Sequence, residues 1–101
     1  MIVIQTNTDS REEAEEIARV LLHKKLIFAA HINQTKAFYL WKGNRVEGKE
    51  YVITMRTLDD KKDAAVKLIE ELHSYQVPPI VIFPALTSSN SYDNKIKDEL
   101  E

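Results

Sequence analysis

The sequence predicts a single α+β domain, residues 1–101, of the ferredoxin-like type, in which two helices cover one face of a sheet. A length of 101 residues fits one domain of ordinary size. The predicted elements follow the order β-α-β-β-β-α-β, with a small helix at the C-terminus. Two βαβ-type halves therefore flank a central hairpin, which is the pattern of this fold.

The first strand and helix are indicated by clear local signals. Residues 2–6 are apolar and rich in β-branched side chains, which favours a strand. Ser10 and Glu13 fit a capping box, in which each side chain accepts a hydrogen bond from a free backbone N–H at the helix start. The helix that follows carries one apolar stripe, formed by Ala14, Ile17, Ala18, Leu21 and Leu22.

The middle of the chain predicts three extended segments. Residues 26–33 are apolar in their first half, as in a buried strand, and residues 36–42 form a second segment. Turn signals lie at Gly43-Asn44 and at Glu47-Gly48. Residues 50–57 alternate between two faces, as a third strand does.

The last third predicts a helix, a strand and a polar tail. The helix covers roughly residues 59–73, and a strand lies within residues 77–86. Pro78-Pro79 stiffens the entry to this strand and Pro84 marks its exit. The tail 91–101 is expected to form at most a short helix.

Composition excludes several classes of function. The chain has no cysteine, which excludes disulfides, thiolate metal sites and a cysteine nucleophile. It has only two glycines, too few for a phosphate-binding loop or a dinucleotide fingerprint. The formal net charge of −2 argues against nucleic acid as a partner. The ferredoxin-like RNA-binding alternative lacks its aromatic pattern, since the 50–57 strand carries only Tyr51.

No membrane segment or secretion signal is predicted. The longest apolar run, residues 26–30, is far shorter than the ~20 residues that span a bilayer. The N-terminal residues lack a basic region followed by an apolar stretch, so no signal peptide is expected. A cytoplasmic location, with no membrane partner, is the expectation that follows.

Residues 37–41 place apolar side chains on both faces of an extended segment. Ala37, Tyr39 and Trp41 share one face, and Phe38 and Leu40 share the other. Two helices can cover only one side of the sheet, so the other side needs a second surface. We therefore predict a homo-oligomer assembled through the open face of the sheet.

Three stretches resemble the CutA family of divalent-cation tolerance proteins. They are Tyr39-x-Trp41-x-Gly43 with a later strand ending Arg56-Thr57, the stretch 72–80, and Ala29-Ala30-His31-Ile32-Asn33. The second stretch, Leu-His-Ser-Tyr-Gln-Val-Pro-Pro-Ile, stands where the family typically has Leu-His-Pro-Tyr-Glu-Val-Pro-Glu-Ile. The resemblance implies a trimer related in architecture to the PII signalling proteins. It also implies a part in copper and divalent-metal tolerance without an established enzymatic reaction.

The chain departs from the family pattern at informative positions. Ser74 replaces proline, and Gln76 and Pro79 each replace a glutamate. His31 stands where the family usually has a cysteine, so an imidazole replaces a soft thiolate. The family's C-terminal pattern survives only in part, without its tryptophan.

His73 and His31 are the predicted metal ligands, and the metal they would bind is Cu(II) or another divalent cation. No obligatory cofactor is predicted. Each has an alternative role. His73 ends the second helix and could pair with its carbonyl groups. His31 lies in an apolar strand and could be a core or interface histidine.

Tyr39, Trp41 and Tyr75 are predicted to line a small-molecule pocket at a subunit contact, because rings with polar tips suit such clefts. Plain interface packing is the alternative. A PII-like sensor that binds a metabolite or nucleotide between subunits is the second functional hypothesis. Catalysis is not expected, since the neighbours His73 and Ser74 seldom form a nucleophile–base pair.

Overall fold

The computed structural model describes residues 1–101. Its elements, in chain order, are β1 (Ile2–Thr8), α1 (Arg11–His23), β2 (Ala29–Trp41), β3 (Asn44–Thr57), a 3-10 turn (Asp59–Lys61), α2 (Lys62–Leu72), β4 (Val81–Pro84) and α3 (Asn90–Leu100). No helix is both long enough and apolar enough to cross a membrane.

The four strands form one sheet in the order β2-β3-β1-β4, and every neighbouring pair is antiparallel. The central strands β1 and β3 pair over the whole of β1, from Ile2 opposite Thr57 to Thr8 opposite Tyr51. Strands β2 and β4 are the edges. This arrangement confirms the predicted ferredoxin-like fold.

The hydrophobic core lies between the sheet and helices α1 and α2. Alternation along the central strands points every second residue toward the helices. The two helical stripes meet those side chains, as predicted for α1. The buried cluster consists of Ile2, Ile4, Ala14, Ile17, Leu21, Ile27, Ile53, Met55, Ala65 and Ile69.

The predicted break between two middle strands is wrong. Residues 29–41 form one strand that pairs with β3 without interruption, from Ala29 opposite Arg56 to Trp41 opposite Asn44. Glu47-Gly48 is not a turn but lies inside β3. The hairpin has a single turn, at Lys42 and Gly43, whose φ angles of 51° and 78° fit a type I′ turn. That turn sets the register, and continuous pairing then satisfies the backbone groups around Gly48.

The C-terminal third also differs from its prediction. The strand expected within 77–86 is only Val81–Pro84, because the segment before it is irregular. The tail forms a full helix, α3, which buries Ile96 and Leu100. Its tertiary contacts stabilise it where its own polar sequence would not.

Only one of the two hydrogen bonds of the predicted capping box forms. The Ser10 Oγ accepts a hydrogen bond from the Glu13 N–H at 3.1 Å, as predicted. The Glu13 carboxylate does not return to Ser10 and instead binds Ser74, far along the chain.

Candidate functional site

The candidate site lies where the chain leaves α2 and crosses the end of β1. Residues His73, Ser74 and Tyr75, which we call the strap, each contact a different element. His73 contacts β1, Ser74 contacts α1, and Tyr75 contacts β3. The strap therefore ties the end of α2 to three other parts of the fold.

His73 is 8% exposed, and both of its ring nitrogens form hydrogen bonds. The Nδ1 accepts from the backbone N–H of Tyr75 at 3.2 Å. In the neutral ring the proton then resides on Nε2, which donates to the Thr6 hydroxyl at 3.1 Å. A metal bound to His73 would have to displace one of these two partners.

Ser74 is held by the Glu13 carboxylate at two points. Its backbone N–H donates to Oε1 at 2.9 Å, and its hydroxyl donates to Oε2 at 3.1 Å. Proline, the family's usual residue here, has neither donor. The departure at position 74 thus adds a clamp between α1 and the strap.

Tyr75 donates its hydroxyl to Oε2 of Glu50 at 3.1 Å. Burial raises the pKa of Tyr75 well above its ordinary value, and the charge of Glu50 raises it further. The charge of Asp9 and then Tyr39 add smaller effects in the same direction. Like any tyrosine, the phenol is protonated at neutral pH and acts as a donor, and its raised pKa extends this state to alkaline pH.

Glu50 is a site residue that the sequence analysis did not single out. It lies in β3 opposite Thr35 and is 8% exposed, although the strand pattern marked it only as the first residue of an alternating run. Tyr75, which is distant in sequence, covers it. A local pattern contains no signal for such a contact.

His31 is exposed on the face of the sheet that α1 and α2 leave uncovered. It lies on β2 opposite Thr54, and Thr54 in turn accepts a hydrogen bond from the Gln5 side chain at 3.4 Å. His31 and His73 are on opposite sides of the sheet. Within one copy, no three histidine or acidic side chains come together as a metal cluster.

Tyr39 and Trp41 lie on the same face as His31, near the tip of the β2–β3 hairpin. Their exposed fractions are 46% and 52%, and Phe38 and Leu40 on the other face are exposed even further. Of the predicted pocket residues, Tyr39 lies opposite Val46 and Trp41 lies at the turn opposite Asn44, whereas Tyr75 belongs to the strap. The hairpin thus presents apolar side chains on both faces to the outside.

Comparison with known proteins places this chain in a family. The family described as CutA1 divalent ion tolerance protein matches residues 2–99. The CutA protein of Pyrococcus horikoshii is 36% identical over 81 residues, which cover 80% of this chain and 79% of that protein. The chain belongs to the CutA family of divalent-cation tolerance proteins.

Solved structures agree on the fold. The crystal structure of CutA1 from Pyrococcus horikoshii superposes with a TM-score of 0.93 at 30% identity, covering 98% of this chain and 97% of that one. A CutA from Archaeoglobus fulgidus, described as periplasmic, gives 0.94 at 29% identity over the full length of both chains. A CutA from Nostoc, described as PII-like, gives 0.92 at 25% identity, covering 100% of this chain and 98% of that one.

Proposed function

We propose that this CutA protein is a homotrimer that supports tolerance of copper and other divalent cations by binding them weakly, without catalysing a reaction. The main evidence for this assembly is the exposed apolar surface of the β2–β3 hairpin. The hairpin exposes Tyr39 and Trp41 on one face and Phe38 and Leu40 on the other. Apolar surface of this extent is stable in water only when another surface covers it, and further copies of the chain are the simplest cover.

The proposed metal ligand is His31. It is exposed on the open face, and its imidazole suits Cu(II) or Zn(II). One copy supplies only this one histidine at that place, which is too few ligands for a stable site. A threefold axis through the covered face would bring three copies of His31 together, so the trimer and the metal site are proposed as one arrangement.

A metal titration of a protein of measured mass tests this proposal. We expect a solution mass three times the 11.7 kDa chain mass and about one Cu(II) per three chains by calorimetry. His31→Ala should keep the trimer and weaken copper binding at least tenfold. His23→Ala is the matched control, because His23 is exposed at the end of α1, and it should bind copper as the wild type does.

The two parts of the proposal fail in different ways. A monomeric wild-type protein contradicts the assembly. A trimeric His31→Ala protein with unchanged copper affinity contradicts the metal site. A cytoplasmic location stays a prediction, to be checked by cell fractionation.

A PII-like sensor is the second candidate function, and the hydrogen bond between Tyr75 and a buried carboxylate favours it. A ligand at this place would stabilise the folded protein by mass action. A screen of melting temperatures against nucleotides and metabolites tests it. A rise that Tyr75→Ala removes supports the sensor, and no response to any compound contradicts it.

A further inference from the structure

Glu50 is a buried carboxylate without a positive partner. It is 8% exposed, and its one hydrogen bond comes from the neutral hydroxyl of Tyr75. The three ion pairs of the chain are Met1 with Asp59, Glu15 with Arg19, and Lys36 with Glu47. No lysine, arginine or histidine lies within ion-pair distance of Glu50.

A cation beside Glu50 would stabilise this carboxylate. Burial takes most of the side chain out of water, although no carboxylate oxygen is both cut off from solvent and without a hydrogen bond. The one hydrogen bond that Glu50 accepts comes from a neutral donor, and hydrogen bonds between two charged groups are stronger. No group within the chain supplies a positive charge there, so a cation that joins Glu50 comes from outside the single chain.

The surroundings of Glu50 indicate the chemistry of that charge. A bare divalent metal needs several oxygen or nitrogen ligands, and no cluster of three such side chains is present. Glu50 instead lies next to an aromatic side chain, since the Tyr75 hydroxyl contacts its carboxylate. A carboxylate beside aromatic rings is the combination that binds guanidinium and ammonium groups, through an ion pair and cation–π contact.

We propose that Glu50 and Tyr75 form the acidic half of a binding site for a guanidinium or ammonium group. Two sources can supply this group, a basic side chain of a second copy or a free organic cation. The β2–β3 hairpin has suitable side chains, since residues 36–49 contain four basic residues and only one acidic residue. The second-copy source rests on the proposed trimer, and the free-ligand source does not.

Glu50→Gln is the central variant of the test, because it removes the charge, keeps the shape and still accepts a hydrogen bond from Tyr75. Glu47→Gln is the matched control, since Glu47 is an exposed residue of the same strand. Each protein is diluted in sedimentation experiments to obtain its trimer dissociation. Each is also melted with L-arginine amide, which carries both cationic groups, and with its uncharged-side-chain counterpart L-citrulline amide.

Each source gives its own result. If a second copy supplies the cation, Glu50→Gln dissociates at concentrations at least tenfold higher than the wild type and Glu47→Gln does not. If the cation is free, L-arginine amide raises the wild-type melting temperature, and Glu50→Gln loses that rise at unchanged mass. An equal rise with L-citrulline amide, which keeps the ammonium group, identifies ammonium as the bound group, and a smaller rise identifies the guanidinium. A wild type that is not trimeric removes the proposed assembly but leaves the L-arginine amide result to decide this site.

The proposal is overturned if Glu50→Gln matches the wild type in both assembly and ligand response. Glu50→Leu provides a second measurement should the Gln variant fold poorly. Replacing a charge that truly lacks a partner with an apolar side chain of similar size stabilises a protein. A Glu50→Leu protein that melts higher than the wild type, with unchanged assembly and an unchanged response to L-arginine amide, would therefore overturn the site, and one with weakened assembly or a lost ligand response would support it.

Discussion

Tyr39→Glu is expected to convert the proposed trimer into monomers of 11.7 kDa at micromolar concentration. Tyr39 lies on the open face of the hairpin, and the proposed assembly covers it. The substitution removes the burial of an aromatic side chain, about 1.5–3 kcal/mol at each interface, and places a carboxylate in an apolar contact. The same loss occurs at all three interfaces, so dissociation should rise by more than about 100-fold. Light scattering or sedimentation velocity measures the mass directly.

Leu22→Glu is the control for this variant. Leu22 is 44% exposed, close to the 46% of Tyr39, and also changes from an apolar side chain to a carboxylate. It lies on α1, away from the open face of the sheet, so its protein should remain a trimer. If Tyr39→Glu is a trimer at the same concentrations, the hairpin face is not the assembly surface.

His73→Ala is expected to lower the free energy of unfolding by about 2–4 kcal/mol. The ring satisfies the hydroxyl of Thr6, which is fully buried, and the backbone N–H of Tyr75. Alanine leaves both groups without a partner and opens a cavity beside the Tyr75 ring, whose centre lies 4.8 Å from that of His73. Urea unfolding at one fixed chain concentration gives the difference, because the stability of an oligomer depends on concentration.

His23→Ala serves as the comparison, since that side chain is exposed and forms no hydrogen bond or ion pair. Its free energy of unfolding should stay within about 0.5 kcal/mol of the wild-type value. A His73→Ala protein as stable as His23→Ala would mean that the two hydrogen bonds of the ring are replaced by water. The strap would then be weaker than its geometry indicates.

Helices α1 and α2 and the two faces of the sheet could be predicted because their signals are local. The stripe of α1 and the Ser10 cap depend on residues within two turns of helix. The turn of the β2–β3 hairpin was harder to predict from the sequence. Glu47-Gly48 has the composition of a turn, yet long-range pairing with β2 keeps it extended. The true turn at Lys42-Gly43 requires two positive φ angles, and lysine is not a residue that signals such an angle.

The candidate site, too, could be predicted only in part from the sequence. Position 73 could be found from the sequence because it stands in a recognisable motif, and His31 because it replaces a cysteine of the family. The sequence contained no sign that both nitrogens of His73 are occupied. It also did not indicate that the Glu13 carboxylate would bind Ser74 and not the backbone N–H at the start of its own helix, because both interactions use the same carboxylate.

By itself, the sequence determined the fold class, the family, the absence of thiol chemistry and the surplus of apolar surface on the hairpin. These properties follow from composition, from periodicity and from motifs a few residues long. Only the tertiary structure decided which side chains meet at the strap, where the contacts join residues 67, 61 and 25 positions apart. Such contacts arise when helices and strands pack together, and the burial of Glu50 arises in the same step.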